Sequence, residues 1–431
     1  MTSTLDVKTA GLPVRTLSVE VVAGPDQGRS FTSKTDRLTV GSASDNDVEL
    51  SDPTVSRYHL ELCCRGDRVM VRDLGSTNGT AMGQVRLERA SVTPGTVVQL
   101  GHTSLKIGEG GTASLELIEG DSLGELKGRT PAMRHLMARV RKASRADAPV
   151  LLVGESGTGK ELIAKALHEQ GPRSGRPFIT VDCGSLAPGV VASELFGHEK
   201  GAFTGADRRH AGAFERAHSG TVFLDEIGEL PGALQAVLLG VLERRRFRRV
   251  GGTDELSVDV RVVSATHRDL RAEVNAGSFR LDLYYRLAVV KIEVPALRER
   301  TDDIPTLVEH FLREAGHDGE VAAVVSKDAM DQLRAHHWPG NVRELRNVVE
   351  SVLAMGGPPE LEQDTPVRKA GSSPATELTY RQARAAVLQD FESSFLRQLM
   401  KRAKGNVSHA ARLARMDRSH LIELLARHGL K

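Results

Sequence analysis

A glycine-rich segment ending in a lysine has the composition and spacing to hold phosphate groups. It follows the apolar run Val150–Val153 and opens a helical stretch at Lys160. In a strand–loop–helix unit, glycines let backbone N–H groups turn toward phosphates, the helix N-terminus adds partial positive charge, and the lysine reaches the β and γ phosphates. The candidate nucleotide-binding residues are Gly154, Glu155, Ser156, Gly157, Thr158, Gly159, Lys160 and Glu161. Glu161 stands where such loops carry Ser or Thr, so the usual magnesium-binding hydroxyl is missing.

A second apolar run, Thr221–Leu224, ends in two carboxylates, Asp225 and Glu226. Beside the phosphate loop, Asp225 can hold Mg²⁺ and Glu226 can orient the water that attacks the γ-phosphate. By itself an apolar strand ending in Asp-Glu is weak evidence, and a solvated strand end is the simpler interpretation. Together with the phosphate loop, it predicts an ATPase site that uses ATP and Mg²⁺.

Phosphoryl transfer also needs positive charge around the transferred group, and three arginines are candidates to supply it. Arg280 and Arg286 lie in one short apolar and aromatic segment, and Arg343 follows a Trp-Pro-Gly turn. From chemistry alone, these are ordinary surface or salt-bridged arginines.

The composition is that of a globular protein with several domains. The chain has 431 residues, a net charge of +2 and 40% hydrophobic residues, and such a length allows about two to four domains. It contains no apolar run long enough to span a membrane, and its first residues lack a secretory signal pattern. The three cysteines, two of them adjacent, favour a reduced, cytoplasmic protein.

The first two blocks of the chain differ in their secondary-structure pattern. Residues 16–118 contain short strand-like runs between turn-rich pieces, which predicts an all-β sandwich or barrel, with Gly108–Gly124 as a connector. Residues 127–355 alternate apolar strands with helical stretches and become wholly helical after Pro295. This alternation predicts a parallel sheet covered by helices, followed by a small helical subdomain.

The end of the chain has a different composition. Gly356–Glu377 is rich in Gly, Pro and polar residues, which is typical of a flexible linker. The helical block that follows carries eleven Lys/Arg against four Asp/Glu from Arg381 onward. Such a basic segment suggests contact with nucleic acid, although a merely solvated basic surface is an equal alternative on charge alone.

The segment Glu194–Ala206, between the two ATP-site motifs, places Phe203 and Thr204 among glycines. A buried turn with Phe203 in the core would be the simplest interpretation of this composition. The segment resembles, however, the signature of sigma-54-dependent activators, the bacterial enhancer-binding proteins, whose motor is an AAA+ ATPase. The resemblance covers about residues 128–355 and implies a loop that touches sigma-54 during ATP turnover and drives promoter opening. The implied contact residues are Gly201, Ala202, Phe203, Thr204, Gly205 and Ala206.

The same resemblance implies roles for residues that chemistry alone leaves undecided. Arg280 and Arg286 would be arginine fingers that act on the ATP of a neighbouring subunit, which implies a homo-oligomeric ring, usually a hexamer. Arg343 would be the sensor arginine of the helical lid, and Thr266 would be the sensor at the end of a strand.

Two residues depart from the pattern of this family. Asp182 stands where the family often has Asn, a residue thought to hold the catalytic glutamate away until it is needed. An Asp there would repel Glu226 unless one of the two is protonated or a cation intervenes. His267 stands where Asn is common. Both departures concern the control of the ATPase.

Four short motifs in the first block resemble the forkhead-associated (FHA) domain. They are Leu38–Gly41, Asn46–Leu50, Val55–His59 and Asp73–Thr80. The resemblance implies a β-sandwich whose loops bind phosphothreonine peptides. Ser56 and Arg57 can hold phosphate oxygens, Thr77 and Asn78 would complete the site, and His59 would brace the loop. Ser42 replaces the arginine that this family usually places after Gly41, and a pure scaffold or oligomer contact remains the alternative.

The last block contains a helix–turn–helix pattern. The stretch Gly405–Ala414 and the stretch Asp417–Leu425 are separated by a short break, with Asn406 or Ser408 and then Asp417 as candidate helix caps. The pattern resembles the Fis-type DNA-binding domain of the same activator family, and a helical hairpin for oligomer contact is the alternative. The candidate DNA-contacting residues are Arg412, Arg415, Arg418, Ser419 and His420.

These observations predict a multidomain chain with four segments. We expect an FHA domain at residues 15–120, an AAA+ sigma-54 interaction domain at 125–356 with a helical lid from about 296, a linker at 357–378, and a Fis-type helix–turn–helix at 379–431. The predicted partners are sigma-54 RNA polymerase, upstream enhancer DNA and a phosphothreonine protein such as a Ser/Thr kinase or its substrate. A non-transcriptional AAA+ remodeller and a phosphopeptide-dependent scaffold are the alternatives.

Overall fold

The computed structural model describes the chain from residue 11 onward, with gaps. The described residues are 11–184, 188–356, 361, 396, 399–400, 406–414, 416, 421–422 and 424–425. They belong to two compact units, residues 1–361 and residues 362–431. Within the described residues, no helix is both long and apolar enough to cross a membrane.

The first domain is a sandwich of two mostly antiparallel sheets, in which strands of alternating burial enclose an aliphatic core. One sheet has the strand order β2-β1-β11-β10-β7-β8, and the other has the order β4-β3-β5-β6-β9. The strands are β1 Gly11–Ala23, β2 Ser30–Thr32, β3 Arg37–Gly41, β4 Val48–Glu49, β5 Leu60–Arg65, β6 Arg68–Asp73, β7 Thr80–Met82, β8 Val85–Leu87, β9 Arg89–Val92, β10 Val97–Leu100 and β11 Thr103–Glu116.

The connector predicted at Gly108–Gly124 is wrong over its first half. Strand β11 continues to Glu116, because its glycine-containing end pairs with the beginning of β1, from Gly11 opposite Glu116 to Thr16 opposite Gly111. The register shifts after Thr16, so a β-bulge accommodates the glycines that made this segment look like a connector. The prediction failed because the partner strand lies about a hundred residues earlier in the chain, outside any local pattern.

The second domain is built on a parallel sheet of strand order β15-β16-β19-β14-β20 with helices on its faces. Strands β16 and β19 are buried along nearly their whole length, as their continuous apolar runs predict for a covered parallel sheet. The elements are β12 Ser122–Leu123, β13 Leu126–Lys127, α1 Pro131–Ser144, β14 Val150–Val153, α2 Lys160–Glu169, β15 Phe178–Asp182, α3 Pro188–Phe196, α4 Ala213–Arg216, β16 Thr221–Asp225, α5 Gly232–Arg244, β17 Arg246–Arg248, β18 Glu255–Ser257, β19 Arg261–Thr266, α6 Leu270–Ala276, α7 Leu281–Leu287 and β20 Val290–Glu293.

A small helical subdomain follows β20, as predicted from the loss of strand patterns after Pro295. Its helices are α8 Ile304–Glu314, α9 Val321–Val324, α10 Lys327–Ala335 and α11 Asn341–Met355. They surround Trp338, which is fully buried and whose indole N–H donates to the carbonyl of Leu333 at 2.8 Å. This indole anchors the turn that leads into α11.

The second unit contains helix α12, Val407–Ala414, which begins where a side-chain cap was predicted. The Asn406 side-chain oxygen accepts the backbone N–H of His409 at 3.0 Å, which satisfies one of the unpaired donors of the first turn. Ala410 and Leu421 are fully buried in one small apolar cluster. The cap predicted at Asp417 lies outside the described residues.

Parallel strand order brings distant residues to one edge of the sheet. Thr266 lies beside Val153, which precedes the glycine-rich loop, and Asp182 lies beside Asp225. Because the carboxyl ends of parallel strands meet at the same edge, the loop, the carboxylates and the sensor threonine converge there.

Candidate functional site

The glycine-rich loop connects β14 to α2 and forms a backbone cradle. Gly157 and Gly159 have φ of 76° and 98°, conformations that favour glycine and turn N–H groups inward. The Lys160 ammonium is almost fully buried and donates to the carbonyls of Gly154 at 2.9 Å and Glu155 at 3.2 Å. Burial lowers the pKa of Lys160, and the nearby Glu226 carboxylate opposes that shift. The cradle therefore places a largely desolvated cation where phosphates would lie.

The helical subdomain closes directly over this loop. The Asn341 amide donates to the Ser156 carbonyl at 3.0 Å and to the Glu155 carboxylate at 3.1 Å. The Arg343 guanidinium donates to the Ser156 hydroxyl at 3.1 Å. Arg298 also pairs with Glu155 and lowers its pKa. The loop is thus held by side chains from the lid as well as by its own backbone.

The two carboxylates at the end of β16 differ in their surroundings. Burial raises the pKa of Asp225, and the nearby Glu226 and Asp182 carboxylates add to this shift. A divalent cation would relieve that crowding of negative charge. The described residues contain no group of three or more His, Cys, Asp or Glu side chains arranged as a complete metal site. A carboxylate such as Asp225 is suited to Mg²⁺ whose other ligands would be phosphate oxygens and water.

Glu226 adopts a left-handed backbone conformation with φ 49° and ψ 47°. One of its carboxylate oxygens lies 2.7 Å from Nδ1 of His267, and the other lies 3.7 Å from Nζ of Lys160. Thr266 is fully buried at the end of β19, and its hydroxyl accepts the N–H of Arg268 at 3.0 Å. The structure thus brings Lys160, Glu226 and Thr266 to one edge of the sheet, but sequence reasoning missed the contact between Glu226 and His267.

The two candidate finger arginines lie at the start and in the last turn of α7, and both are paired within the chain. Arg280 immediately precedes α7 and makes two hydrogen bonds to Asp282, at 2.7 and 3.0 Å. Arg286 is exposed and donates to the carbonyl of Leu242 at 2.9 Å. Neither contact places these guanidinium groups at the glycine-rich loop of the same chain.

The segment Gly201–Ala206 forms a tight exposed loop. The N–H of Gly201 donates to the carbonyl of Ala206 at 2.8 Å, and the N–H of Ala206 donates to the carbonyl of Phe203 at 3.0 Å. Phe203 is 45% exposed and packs edge-on against His198, with ring centroids 4.9 Å apart. The interpretation of Phe203 as a core residue therefore does not hold.

A second loop, after β17, supports this exposed loop from behind. Arg249 is almost fully buried and pairs with Glu199 at 2.7 Å and with Glu215 at 2.8 Å. A Cβ atom on Gly251 would lie 2.8 Å from the Cβ of Ala202, so the two loops pack tightly. Sequence reasoning missed Arg249, since nothing in its neighbourhood marks a partner fifty residues away.

The loops of the sandwich bring the candidate phosphopeptide residues together. The Ser56 hydroxyl accepts the N–H of Thr77 at 2.9 Å, and the Asn78 amide donates to the carbonyl of Thr54 at 2.7 Å. Arg57 is exposed and makes no ion pair or side-chain hydrogen bond with the described residues. An exposed guanidinium beside a hydroxyl and backbone N–H groups is suited to an anion.

His59 lies beneath these loops and is fully buried. Its Nδ1 accepts the N–H of Ser56 at 3.1 Å, and its Nε2 lies 3.3 Å from the carbonyl of Gly79. Burial lowers the pKa of His59, although the nearby Asp73 carboxylate opposes this shift. The neutral imidazole therefore braces two loops at once.

The sandwich docks on the second domain through the same loops, a contact that the sequence did not reveal. Tyr58, next to Arg57, is fully buried under the Arg271 guanidinium, 5.0 Å from its ring centre. The Asn275 amide donates to the carbonyls of Tyr58 at 2.5 Å and Leu74 at 3.0 Å. Helix α6 through these side chains, and α7 through Tyr284 against the Tyr58 ring, thus contact the candidate ligand-binding end of the sandwich.

Of the candidate DNA-contacting residues, Arg412 belongs to α12. Arg415, Arg418, Ser419 and His420 lie outside the described residues.

The fold and this edge of the sheet define a class of protein. A parallel sheet, a glycine-rich loop with Lys160 after β14, two carboxylates at the end of β16 and a helical lid over the loop make the second domain a P-loop ATPase of the AAA+ class.

Comparison with known proteins refines this class. A family model described as the sigma-54 interaction domain matches residues 126–293, and one described as an AAA+ ATPase lid domain matches residues 298–372. A third, described as the cytoplasmic domain of an inner membrane component of the type III secretion system, matches residues 20–111. The lid match reaches into the segment predicted as a linker.

Several relatives share most of their length with this chain. The transcriptional regulatory protein GlrR of Escherichia coli K12 is 46% identical over 305 residues, which cover 70% of this chain and 67% of GlrR. ZraR of Salmonella typhimurium is 45% identical over 302 residues, covering 70% of this chain and 68% of ZraR. The structure of NtrX from Brucella abortus in complex with ATP has a TM-score of 0.52 and 38% identity, covering 71% of this chain and 69% of that one. The chain belongs to the family of sigma-54-dependent transcriptional activators, and the predicted multidomain fold class is confirmed.

Proposed function

We propose that this protein hydrolyses ATP in a ring of its own copies and uses the cycle to remodel sigma-54 RNA polymerase for promoter opening. The observation that carries the proposal is the exposed Phe203 on a loop braced by Arg249. A large apolar side chain presented at the tip of a supported loop is suited to contact another protein. The loop lies within the residues that match the sigma-54 interaction domain.

The geometry supports a distinct role for each residue at the ATP site. Lys160 and the backbone of the glycine-rich loop bind the phosphates, and Thr266 and Arg343 sense the γ-phosphate from the sheet and from the lid. Asp225 holds Mg²⁺, which neutralises charge on the phosphates when it is bound. Glu226 orients the attacking water, the step in which a positioned carboxylate contributes most.

Arg280 and Arg286 complete the site of a neighbouring subunit. Both are largely exposed near α7, and their present partners, Asp282 and the carbonyl of Leu242, belong to their own chain. An exposed ion pair of this kind contributes little stability, so a phosphate group of an adjoining subunit can replace Asp282 at low cost. This arrangement favours a homo-oligomeric ring as the active form, with six subunits as the expected number.

The remaining domains receive the regulatory signal and bind the DNA site. Arg57, Ser56, Thr77 and Asn78 form the phosphothreonine site of an FHA domain, with Arg57 replacing the arginine absent at Ser42. The helix–turn–helix at the C-terminus, with Arg412 among its contacts, binds enhancer DNA upstream of the promoter. Such a protein acts in the cytoplasm, where its polymerase and DNA partners are.

In-vitro transcription from a sigma-54 promoter tests the proposal. We expect transcripts from the purified protein with ATP and sigma-54 RNA polymerase. A Thr204→Ala variant should hydrolyse ATP but give no transcripts, because the loop tip is altered while the ATP site is not. The matched control is Thr112→Ala, which removes a threonine from an exposed position of β11 and should leave transcription unchanged.

Two other outcomes point to other classes of function. ATP hydrolysis without transcripts, even after a phosphothreonine peptide is added, would indicate a non-transcriptional AAA+ remodeller. The absence of hydrolysis with retained phosphopeptide binding would indicate a scaffold.

A further inference from the structure

The backbone of Glu226 is held in a conformation that side chains rarely adopt. Its φ of 49° and ψ of 47° fall in the left-handed region, which is strained for a residue other than glycine and persists only where the surroundings hold it in place. The conformation turns the carboxylate away from β16 and toward the end of the neighbouring strand β19. A specific partner on β19 accounts for this direction.

That partner is His267, which follows the last residue of β19. Nδ1 of the imidazole lies 2.7 Å from Oε2 of Glu226, and the backbone N–H of His267 donates to the same oxygen at 3.2 Å. An ionised carboxylate only accepts hydrogen bonds, so Nδ1 must carry the proton that it donates. The other oxygen, Oε1, is left facing the Lys160 ammonium at 3.7 Å.

Asp182 cannot perform this task for Glu226. Its side chain is a second carboxylate at the end of β15, in register with Asp225, and its Oδ1 accepts the N–H of Gly184 at 2.8 Å. A carboxylate has no N–H group to donate. The N–H donors that contact Oε2 of Glu226 come instead from His267, directly after β19.

We propose that His267 is the positioning residue of the catalytic carboxylate in this chain. Its Nδ1–H and backbone N–H fix Oε2 of Glu226, so that Oε1 is left facing Lys160, on the side where the phosphates and the attacking water would lie. His267 exchanges no proton in this role and acts only through Glu226. The inference rests on the role of Glu226 in ATP hydrolysis given under the proposed function.

Substitutions that keep or move the donor test this role. In the full-length protein, His267→Asn places an N–H donor close to the position of Nδ1, whereas His267→Gln places it close to that of Nε2. His267→Ala removes the donor altogether. His102→Ala, at an exposed position of the sandwich, controls for the loss of a histidine as such.

We expect His267→Ala and His267→Gln to lower kcat for ATP about tenfold while KM changes less than about threefold, because only the orientation of the attacking water is lost. His267→Asn should restore kcat to within about threefold of the parent. Binding of Mg²⁺–ADP with aluminium fluoride, which imitates the transferred phosphoryl group, should weaken in parallel with kcat. Binding of a non-hydrolysable ATP analogue should stay unchanged.

Equal kcat values for the Asn and Gln variants, or an Ala variant as active as the parent, would overturn the assignment. The Asn–Gln comparison keeps the test decisive even if the Ala variant does not fold. A parent that hydrolyses ATP without opening promoters would refute the proposed function and leave the role of His267 intact. A parent that hydrolyses no ATP would refute both.

Discussion

The ring of Tyr58 packs edge-on against the ring of Tyr284, with centroids 5.5 Å apart and an angle of 68° between the planes. Tyr58 directly follows Arg57, the exposed arginine of the candidate phosphopeptide site, and Tyr284 lies in α7, between Arg280 and Arg286. Asp45, in another loop of the sandwich, accepts hydrogen bonds from Tyr58 at 3.2 Å and from Tyr285 at 3.3 Å. The loops that would read a signal are thus in direct contact with α7, which contains the candidate finger arginine Arg286 and directly follows the other candidate, Arg280.

Replacing Tyr58 with alanine should release this contact. Truncating a fully buried aromatic side chain costs about 3–5 kcal/mol, and the Arg271 guanidinium would lose the ring beneath it. We expect faster hydrogen exchange in α6 and α7 of the full-length Tyr58→Ala protein. Tyr58→Phe keeps the ring and loses only the hydroxyl, which donates to Asp45, so its exchange should stay close to that of the parent. Equal exchange in the Ala variant and the parent would show that the docked arrangement does not persist in solution.

Asn341 holds the lid to the glycine-rich loop, and its removal should loosen both. The side chain is fully buried, its oxygen accepts the N–H of Leu297 at 2.9 Å, and its amide donates to the loop. Asn341→Ala would leave the buried N–H of Leu297 unpaired, at a cost of about 1–3 kcal/mol, and would remove the donor to the loop. We expect a lower midpoint of chemical unfolding, followed through the fluorescence of the single tryptophan in the lid, and weaker ATP binding. Asn275→Ala, which removes an amide from the docking contact, should lower neither lid stability nor ATP affinity.

Local sequence patterns were sufficient to predict that the candidate ATP-site residues meet at one edge of the sheet. Lys160, Asp225 and Thr266 each come shortly after an apolar run, and the parallel sheet brings the ends of those runs together. The contacts that the sequence did not disclose join residues far apart in the chain, as between Tyr58 and Tyr284 or between His267 and Glu226. Such pairs depend on how whole elements pack, and no periodicity or motif in either segment encodes the partner.

Arg249 should be required for the placement of the Phe203 loop. It pairs with Glu199 and Glu215 from an almost fully buried position, and its hydrogen bond lowers the pKa of Glu215. Because both carboxylates are about one-third exposed, we expect Arg249→Met to cost only about 1–3 kcal/mol of stability, less than a fully buried pair would. ATP hydrolysis should persist while sigma-54-dependent transcription falls. Arg246→Met, at an exposed pair on the same hairpin, is the control, and equal transcription in both variants would count against a supporting role.

Acid should open the loops that His59 braces. Burial lowers the pKa of His59 in the folded chain, whereas the unfolded chain takes up its proton near a pKa of about 6.5. Because the unfolded state binds the proton first, the stability of this region falls as the pH drops below that value. In the full-length protein, the imidazole NMR resonance of His59 should titrate below the ordinary histidine range. The backbone amides of the Ser56 loop should exchange hydrogen faster at pH 5 than at pH 7, after correction for the intrinsic exchange rates. A titration at or above the ordinary value would contradict the neutral, bracing role.

Arg57 should determine whether the sandwich distinguishes a phosphorylated from an unphosphorylated peptide. Its guanidinium is exposed and makes no ion pair with the described residues, and a hydrogen bond to a phosphate is among the stronger kinds available. A hydrogen bond to a charged group is typically worth about 1.5–3 kcal/mol. Arg57→Ala should therefore lower the affinity for a phosphothreonine peptide about tenfold or more. The affinity of the variant should also depend less on salt concentration. The control variant Arg68→Ala, at the exposed start of β6, should leave the affinity and its salt dependence unchanged. Calorimetric titration with the peptide and its unphosphorylated twin measures the difference. Equal affinity of the parent for the two peptides would mean that, without an arginine at Ser42, this sandwich recognises its partner by something other than phosphate.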